Sequence, residues 1–456
     1  MSEDTAMSQI SKLGARIAAD GQLWADYNAI CDCGGRLAGT DGERNAFALL
    51  EAQAEAATQV RCRSIAVPYR GWSAKSARVR LPGGQWAACH ALVRSVATPP
   101  GGLTAEVVDL GRGTPEEFAV HADDIGGRIV LVRHELMFAA GTIHRRRKYM
   151  AALERGAVGF LIAGPISGQT VAGSSGRQDG AGIPAAGITP QAAAALHRTA
   201  RGWPGATLII DTEEGPAETR TLLFDLPGRT GEWVVLSAHV DGHDGGESAM
   251  DNASGLAAVL AVMRALASQV KDFRRGLRVT FFSVEEWALT GSAHYVAALS
   301  HAERQTIALN VNLDSVGGSR SLAALTSGFA GLEPFLLRVA EASGIALRTV
   351  RPLMQNSDHA NFALAGIPAF RLVAGFDDPN ANLRYVLTPS DTRDKVEESE
   401  LKQAAMLSAA IVADACNALP SEVSQWRRSH RGAGWRYRWP LSALIRLATS
   451  AQGRFR

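Results

Sequence analysis

Imidazole and carboxylate side chains recur at three places in the second half of the chain, each just after an apolar run. His239 and Asp241, then Asp251, follow 233–238; Glu285 and Glu286 follow 277–283; Asp314 follows 307–313. Such runs read as strands buried on both faces, and open α/β sheets bind their ligands outside the carboxyl ends of the strands. Carboxylates converging there repel one another, so the arrangement requires a compensating cation, which a divalent metal supplies. Imidazole nitrogen with carboxylate oxygen suits zinc, and also cobalt or manganese. The absence of thiolates points to a catalytic rather than a structural metal, with hydrolysis as its chemistry.

Within this set the roles divide. Neighbouring side chains of extended backbone point to opposite sides, so Glu285 and Glu286 cannot serve one metal alike. One ligates, and the other is free to take a proton from a metal-bound water. Asp241, two residues beyond His239, points the same way and is placed to accept the second ring proton; the plainer reading is a solvent-facing turn acid.

The elements that must hold these residues follow from the hydropathy pattern. Residues 8–60 carry apolar positions at helical spacing around Gly34, Gly35 and Gly39, which predicts two helices about a glycine-rich turn. From about 62 to 212 short strand-like runs alternate with Gly and Pro, interrupted by a basic helix at about 144–155. Beyond 220, strands near 233–238, 277–283, 307–313 and 369–373 alternate with helices near 253–268, 291–299, 331–343 and 395–417. This predicts an α/β fold, a mostly parallel sheet with helices on both faces, plus an inserted β-rich module. The division expected is 1–70 and 215–420 for the main domain in two segments, 71–214 for the insertion and 421–456 for a tail.

At 46% hydrophobic and 20% charged the 456-residue chain is neither disordered nor fibrous, and its net charge of +2 excludes a protein that coats nucleic acid with its whole surface. The tail, however, holds eight arginines against Glu422 alone, interleaved with Trp426, Trp435, Tyr437, Trp439 and Phe455. That composition suits anionic lipid, RNA or an acidic partner, but a solvated tail is preferred, and Arg145, Arg146, Arg147 and Lys148 are read as a solvated helix face. Five cysteines form no even framework, Cys31 and Cys33 receive no role, and the acidic start lacks a leader's character, so a cytoplasmic protein is expected. No run of about 18 uncharged apolar residues occurs, so no membrane-spanning helix is expected. Oligomeric state is not legible.

Four segments in order, HVDGHDGGESAMDNASG (239–255), FFSVEEWALTGSAHY (281–295), NLDSVGG (312–318) and SDHANFALAGIP (357–368), resemble the co-catalytic dizinc exopeptidases, among them bacterial leucyl aminopeptidases and plasma glutamate carboxypeptidases. The resemblance covers about 20–70 and 215–418. It implies two zinc ions per chain, with His239 and Asp314 on one, Asp251 bridging, Glu286 on the other, Glu285 as general base and a cis peptide after Asp251. GRGTPEEF (111–118), IGGRIVLV (125–132) and GAVGFLI (156–162) resemble the protease-associated domain often inserted in these enzymes.

One departure bears on all of this. Where the family has a Tyr-His-Thr run supplying its last histidine ligand, this chain reads Tyr385-Val386-Leu387-Thr388-Pro389-Ser390-Asp391-Thr392, with Leu387 at the histidine position. Either His243 or His359 substitutes, or one metal is lost, or catalysis is. The alternative reading for His243 is an exposed loop histidine. For His359 a place near the substrate cleft is slightly favoured over a helix cap, and Trp287 is a core residue or a pocket wall. The leading reading is a metallo-exopeptidase, an aminopeptidase on short peptides. The alternatives are a one-zinc acyltransferase like glutaminyl cyclases and a catalytically silent peptide-binding relative.

Overall fold

The computed structural model describes residues 3–177 and 180–427. Strands Gly276–Phe282, Trp233–His239, Ile307–Leu313 and Ala369–Ala374 lie side by side and parallel, as their two-sided apolar character requires. Gly205–Leu226 closes one side of this set antiparallel, and Leu322–Leu325 the other. Helix Ser254–Leu266 is buried around almost its whole circumference, packed between the sheet and the helices Gln22–Asp32, Asp41–Thr58 and Glu398–Asn417. By length and hydropathy Ala249–Leu266 could cross a membrane, but 94% of that stretch is buried inside the protein, as for a core helix.

The N-terminal region holds three helices rather than two: Glu3–Ala18, Gln22–Asp32 and Asp41–Thr58. Asp20 and Gly21 break the first periodicity, with the Asp20 carboxylate accepting from the Gln22 amide at 2.9 Å. The third helix starts at Thr40, whose hydroxyl accepts from the Glu43 amide.

The insertion hangs on a feature the sequence pattern understates. Arg63–Arg80 and Gly205–Leu226 form one antiparallel ribbon, from Arg63 opposite Leu223 to Arg80 opposite Thr207. Their alternating polar residues hide strand character that long cross-strand pairing makes evident. The module at its end has a parallel core of Leu103–Asp109, Ile129–Arg133, Gly159–Ala163 and Ala185–Ile188.

Two surface expectations require correction. In helix Arg145–Glu154, Arg145 and Lys148 are buried, with Lys148 Nζ donating to Arg133 O at 2.9 Å and to Glu135 Oε2 at 2.6 Å; only Arg147 of the four is exposed. Nor is the tail solvated from its start. Pro420–Trp426 is helical and Trp426 is buried, its ring centroid 4.6 Å from that of Phe335, because a large apolar ring gains more from the core than from water. Trp435, Tyr437, Trp439 and Phe455 lie outside the described residues. All five cysteines are unpaired.

The glycine-rich turn supports the loop that follows His239. A Cβ at Gly35 would stand 1.8 Å from the His243 carbonyl oxygen, so only glycine allows the approach. Beside it Arg36, 1% exposed, donates to the carbonyls of Gly34, Val240, Glu247 and Ser248 at 2.8–2.9 Å. Removing it strands several buried acceptors, so Arg36→Met is expected to lower unfolding free energy by about 3 kcal/mol in urea titrations. A change below about 1 kcal/mol, the net worth of one ordinary hydrogen bond, would mean that the loop is held by other contacts.

Candidate active site

The three strand ends do converge. His239 closes its strand with the ring fully buried, and Nδ1 lies 2.9 Å from the main-chain carbonyl of Asp241. That bond leaves Nε2 facing carboxylates, 3.0 Å from Asp251 Oδ1 and 3.7 Å from Asp314 Oδ1, without the alignment of a hydrogen bond. One donor atom each from His239, Glu285 and Asp314 lie within 4.8 Å of one another. A buried imidazole nitrogen with no hydrogen-bond partner, ringed by carboxylate oxygens, is a donor set that fits a divalent cation.

Asp241 acts differently from the expectation. Its carboxylate lies 3.7 Å from His239 Nδ1, and the main-chain carbonyl takes the ring proton instead. The carboxylate is fully buried and accepts the backbone amides of Glu285 and Glu286, both at 3.1 Å, so it is a positioning group for the acid pair and neither a metal neighbour nor a turn acid.

The acid pair divides as extended geometry requires. Burial drives the Glu285 carboxyl well above its ordinary range, with His239 opposing and Glu286 and Asp314 adding to the rise. For Glu286 burial alone would do the same, but His243, with Nε2 2.7 Å from Glu286 Oε1, holds it below its usual value. His243 is therefore no exposed loop residue: it is 4% exposed, and its ring nitrogens have no aligned hydrogen-bond partner. The Asp251–Asn252 peptide is cis.

His359 is buried beside Arg371 and Asp314 and does not line the cavity over the acid pair, which corrects the cleft position expected for it. It is the first helical residue of His359–Leu364, and burial pushes its imidazole down to about 3, so it is neutral. Trp287 is a core residue, with Nε1 donating to Arg70 O at 3.1 Å and its ring set edge-on to Tyr69.

Sequence models of two families match this chain: peptidase family M28 over residues 221–412 and the PA domain over 102–196. The chain is a member of peptidase family M28 with an inserted PA domain. It is 28% identical over 317 residues to a probable lipoprotein aminopeptidase of Mycobacterium tuberculosis, covering 64% of this chain and 61% of that relative's length. Among solved structures, a zinc aminopeptidase from Bacillus subtilis superposes with a TM-score of 0.67 at 24% identity, over 91% of this chain and 95% of that one. An M28 peptidase precursor from Shewanella amazonensis gives 0.76 at 22% identity, over 91% and 98%. At these identities the superpositions speak to the fold alone.

Within this M28 frame Leu387 lines the same cavity as Asp251 and Glu286, so the leucine faces the site. Its main-chain carbonyl accepts from Ala172 of the insertion at 2.8 Å. The residues just after it serve the backbone of the site. Buried Asp391 accepts the amides of Met250 at 2.7 Å and Asp251 at 3.3 Å, which fixes the Asp251 backbone.

Further residues escape sequence reasoning. Arg371 pairs with Asp314 at 3.0 Å, both 2% exposed, and its signal was a lone arginine inside the apolar strand Ala369–Ala374. Glu43, buried, accepts from the Gly39 amide and the Thr219 hydroxyl, each at 2.7 Å, and from the Ser283 hydroxyl next to the acid pair. Arg145 and Arg146 of the insertion also line the cavity, and no local pattern separates them from a solvated helix face.

His243 beside Glu286 supplies an imidazole on the metal side that lacks the family histidine. Zinc titration of metal-stripped protein is expected to reach two equivalents, falling to one in His243→Ala and unchanged in His359→Ala. Equal stoichiometry in wild type and His243→Ala would remove His243 from the metal site.

Proposed function

We propose that this protein is a zinc-dependent aminopeptidase that hydrolyses short peptides. The observation that carries the reading is the convergence of His239, Asp251, Glu286 and Asp314 about an unbonded buried imidazole nitrogen, with Glu285 beside them. The M28 match supports it. So do the aminopeptidase names of relatives and the zinc named for the Bacillus subtilis structure.

His239, Asp314 and Asp251 would hold one zinc, and Asp251, Glu286 and His243 a second. Zinc bound there would polarise the scissile carbonyl and make water acidic enough to lose a proton near neutral pH. The protein's own part is proton handling. Glu285, its backbone fixed by Asp241, takes the proton from the attacking water and returns it to the leaving amine. Burial raises its proton affinity, which favours both halves of that shuttle.

Leu387 in the cavity favours a second reading, a one-metal site of the kind an acyltransferase like glutaminyl cyclases would use. The products decide: a peptidase releases an amino acid, whereas the acyltransferase releases ammonia from an N-terminal glutamine. We also place the protein in the cytoplasm, on the ground of its five unpaired thiols.

In Glu285→Gln zinc content is expected to stay unchanged while kcat falls about 10²- to 10⁴-fold, the ordinary worth of a general base. Wild-type kcat in that variant would overturn the role given to Glu285.

A further inference from the structure

The insertion does more than cover the site. Helix Arg145–Glu154 begins at the cavity, and His144, Arg145 and Arg146 all line it, opposite Glu285, Glu286, Asp251 and Asp314. Arg145 is 4% exposed, with Nε donating to Ser174 O at 2.6 Å and Nη1 reaching only the Met137 sulfur at 3.8 Å. Arg146 is half-buried, and its Nη2 reaches the Gln355 carbonyl at 3.4 Å. Neither guanidinium forms an ion pair among the described residues.

The cradle around them is close-fitting. A Cβ at Gly173 would strike the Arg145 guanidinium, and one at Gly176 would stand 2.5 Å from Arg146 Cβ, so two glycines at positive φ make room for these side chains. His144 Nδ1 accepts from the Arg146 amide at 3.2 Å, which leaves Nε2 to carry the proton of a neutral ring. Burial pushes Arg145 down to about 10, still cationic at neutral pH, and the carboxylates that draw it across the cavity are Glu286 and Glu285. Glu286 is one of the groups a metal would claim. The remaining cation of the cavity, Arg371, is already paired with Asp314.

A buried guanidinium with a half-buried one beside it is a costly arrangement unless an anion arrives with the ligand. The planar fork of arginine suits a carboxylate in particular. We propose that Arg145 and Arg146 bind a carboxylate of the peptide substrate, on the leaving-group side of the scissile bond, so that the site selects short peptides with a free C-terminus. The cavity supports the size limit: at about 40 Å³ it holds about three waters, so metal end and arginine end stand close together.

This inference rests on the peptidase reading, and the test separates the two. Wild-type zinc protein is assayed on Leu-Gly, Leu-Gly-amide and Leu-Glu-amide, and Glu285→Gln zinc protein is titrated with the same three peptides by calorimetry. The expected result is Leu-Gly binding about 10- to 100-fold tighter than Leu-Gly-amide, the worth of one or two charge-assisted bonds. That gap should collapse in the Glu285→Gln, Arg146→Gln double variant, with Arg145→Lys in the same background retaining part of it. Leu-Glu-amide binding as well as Leu-Gly would support carboxylate recognition and give its source as a side chain. Equal affinity for Leu-Gly and Leu-Gly-amide would overturn the inference, even if both were hydrolysed. Hydrolysis of none of the peptides would count against the peptidase reading alone, since the calorimetric comparison still decides the carboxylate.

Discussion

The structure turns on the cost of bringing five carboxylates, Asp241, Asp251, Glu285, Glu286 and Asp314, into one buried region. Each is at most 8% exposed. Charges so placed are tolerable only where each has a cation or aligned donors. The fold meets that requirement group by group. Backbone amides hold Asp241, Arg371 holds Asp314 and His243 holds Glu286, while Asp251 and Glu285 are left to His239 and the metal the donor set fits.

The supports of that cluster come from distant parts of the chain, which ties assembly of the site to folding of the whole. Arg36 and Gly35 in the N-terminal turn shape the loop carrying His243. Glu43 joins the third helix to Ser283, just before the acid pair. Asp391, far along the chain, fixes the Asp251 backbone. These are buried polar contacts with few alternative partners, so they specify one arrangement of the strand ends more than they add to net stability.

Leu387 shows how one substitution can redistribute roles within a scaffold of peptidase family M28. A leucine facing the cavity removes a possible donor but keeps the wall apolar, and a histidine from the opposite loop stands against Glu286 in its stead. The inserted domain contributes chemistry at the same time, since its arginines sit on the cavity wall rather than on a solvated surface.

The sequence by itself determined the architecture and the donor set. Two-sided apolar runs can only be buried strands, and ligand-type side chains at their carboxyl ends can only meet at one edge of the sheet, so His239, Asp251, Glu285, Glu286 and Asp314 were legible from spacing. Other features depended on long-range contacts that no local pattern encodes. The 63–80 and 205–226 ribbon needed its partner strand to be recognised, and Asp241 needed the acid-pair amides. Arg145 and Arg146 read as solvated because helical spacing gives the face of a helix but not what lies against it. Tertiary structure decided those, because burial and pairing are properties of the neighbour a residue finds, and that neighbour lies far away along the chain.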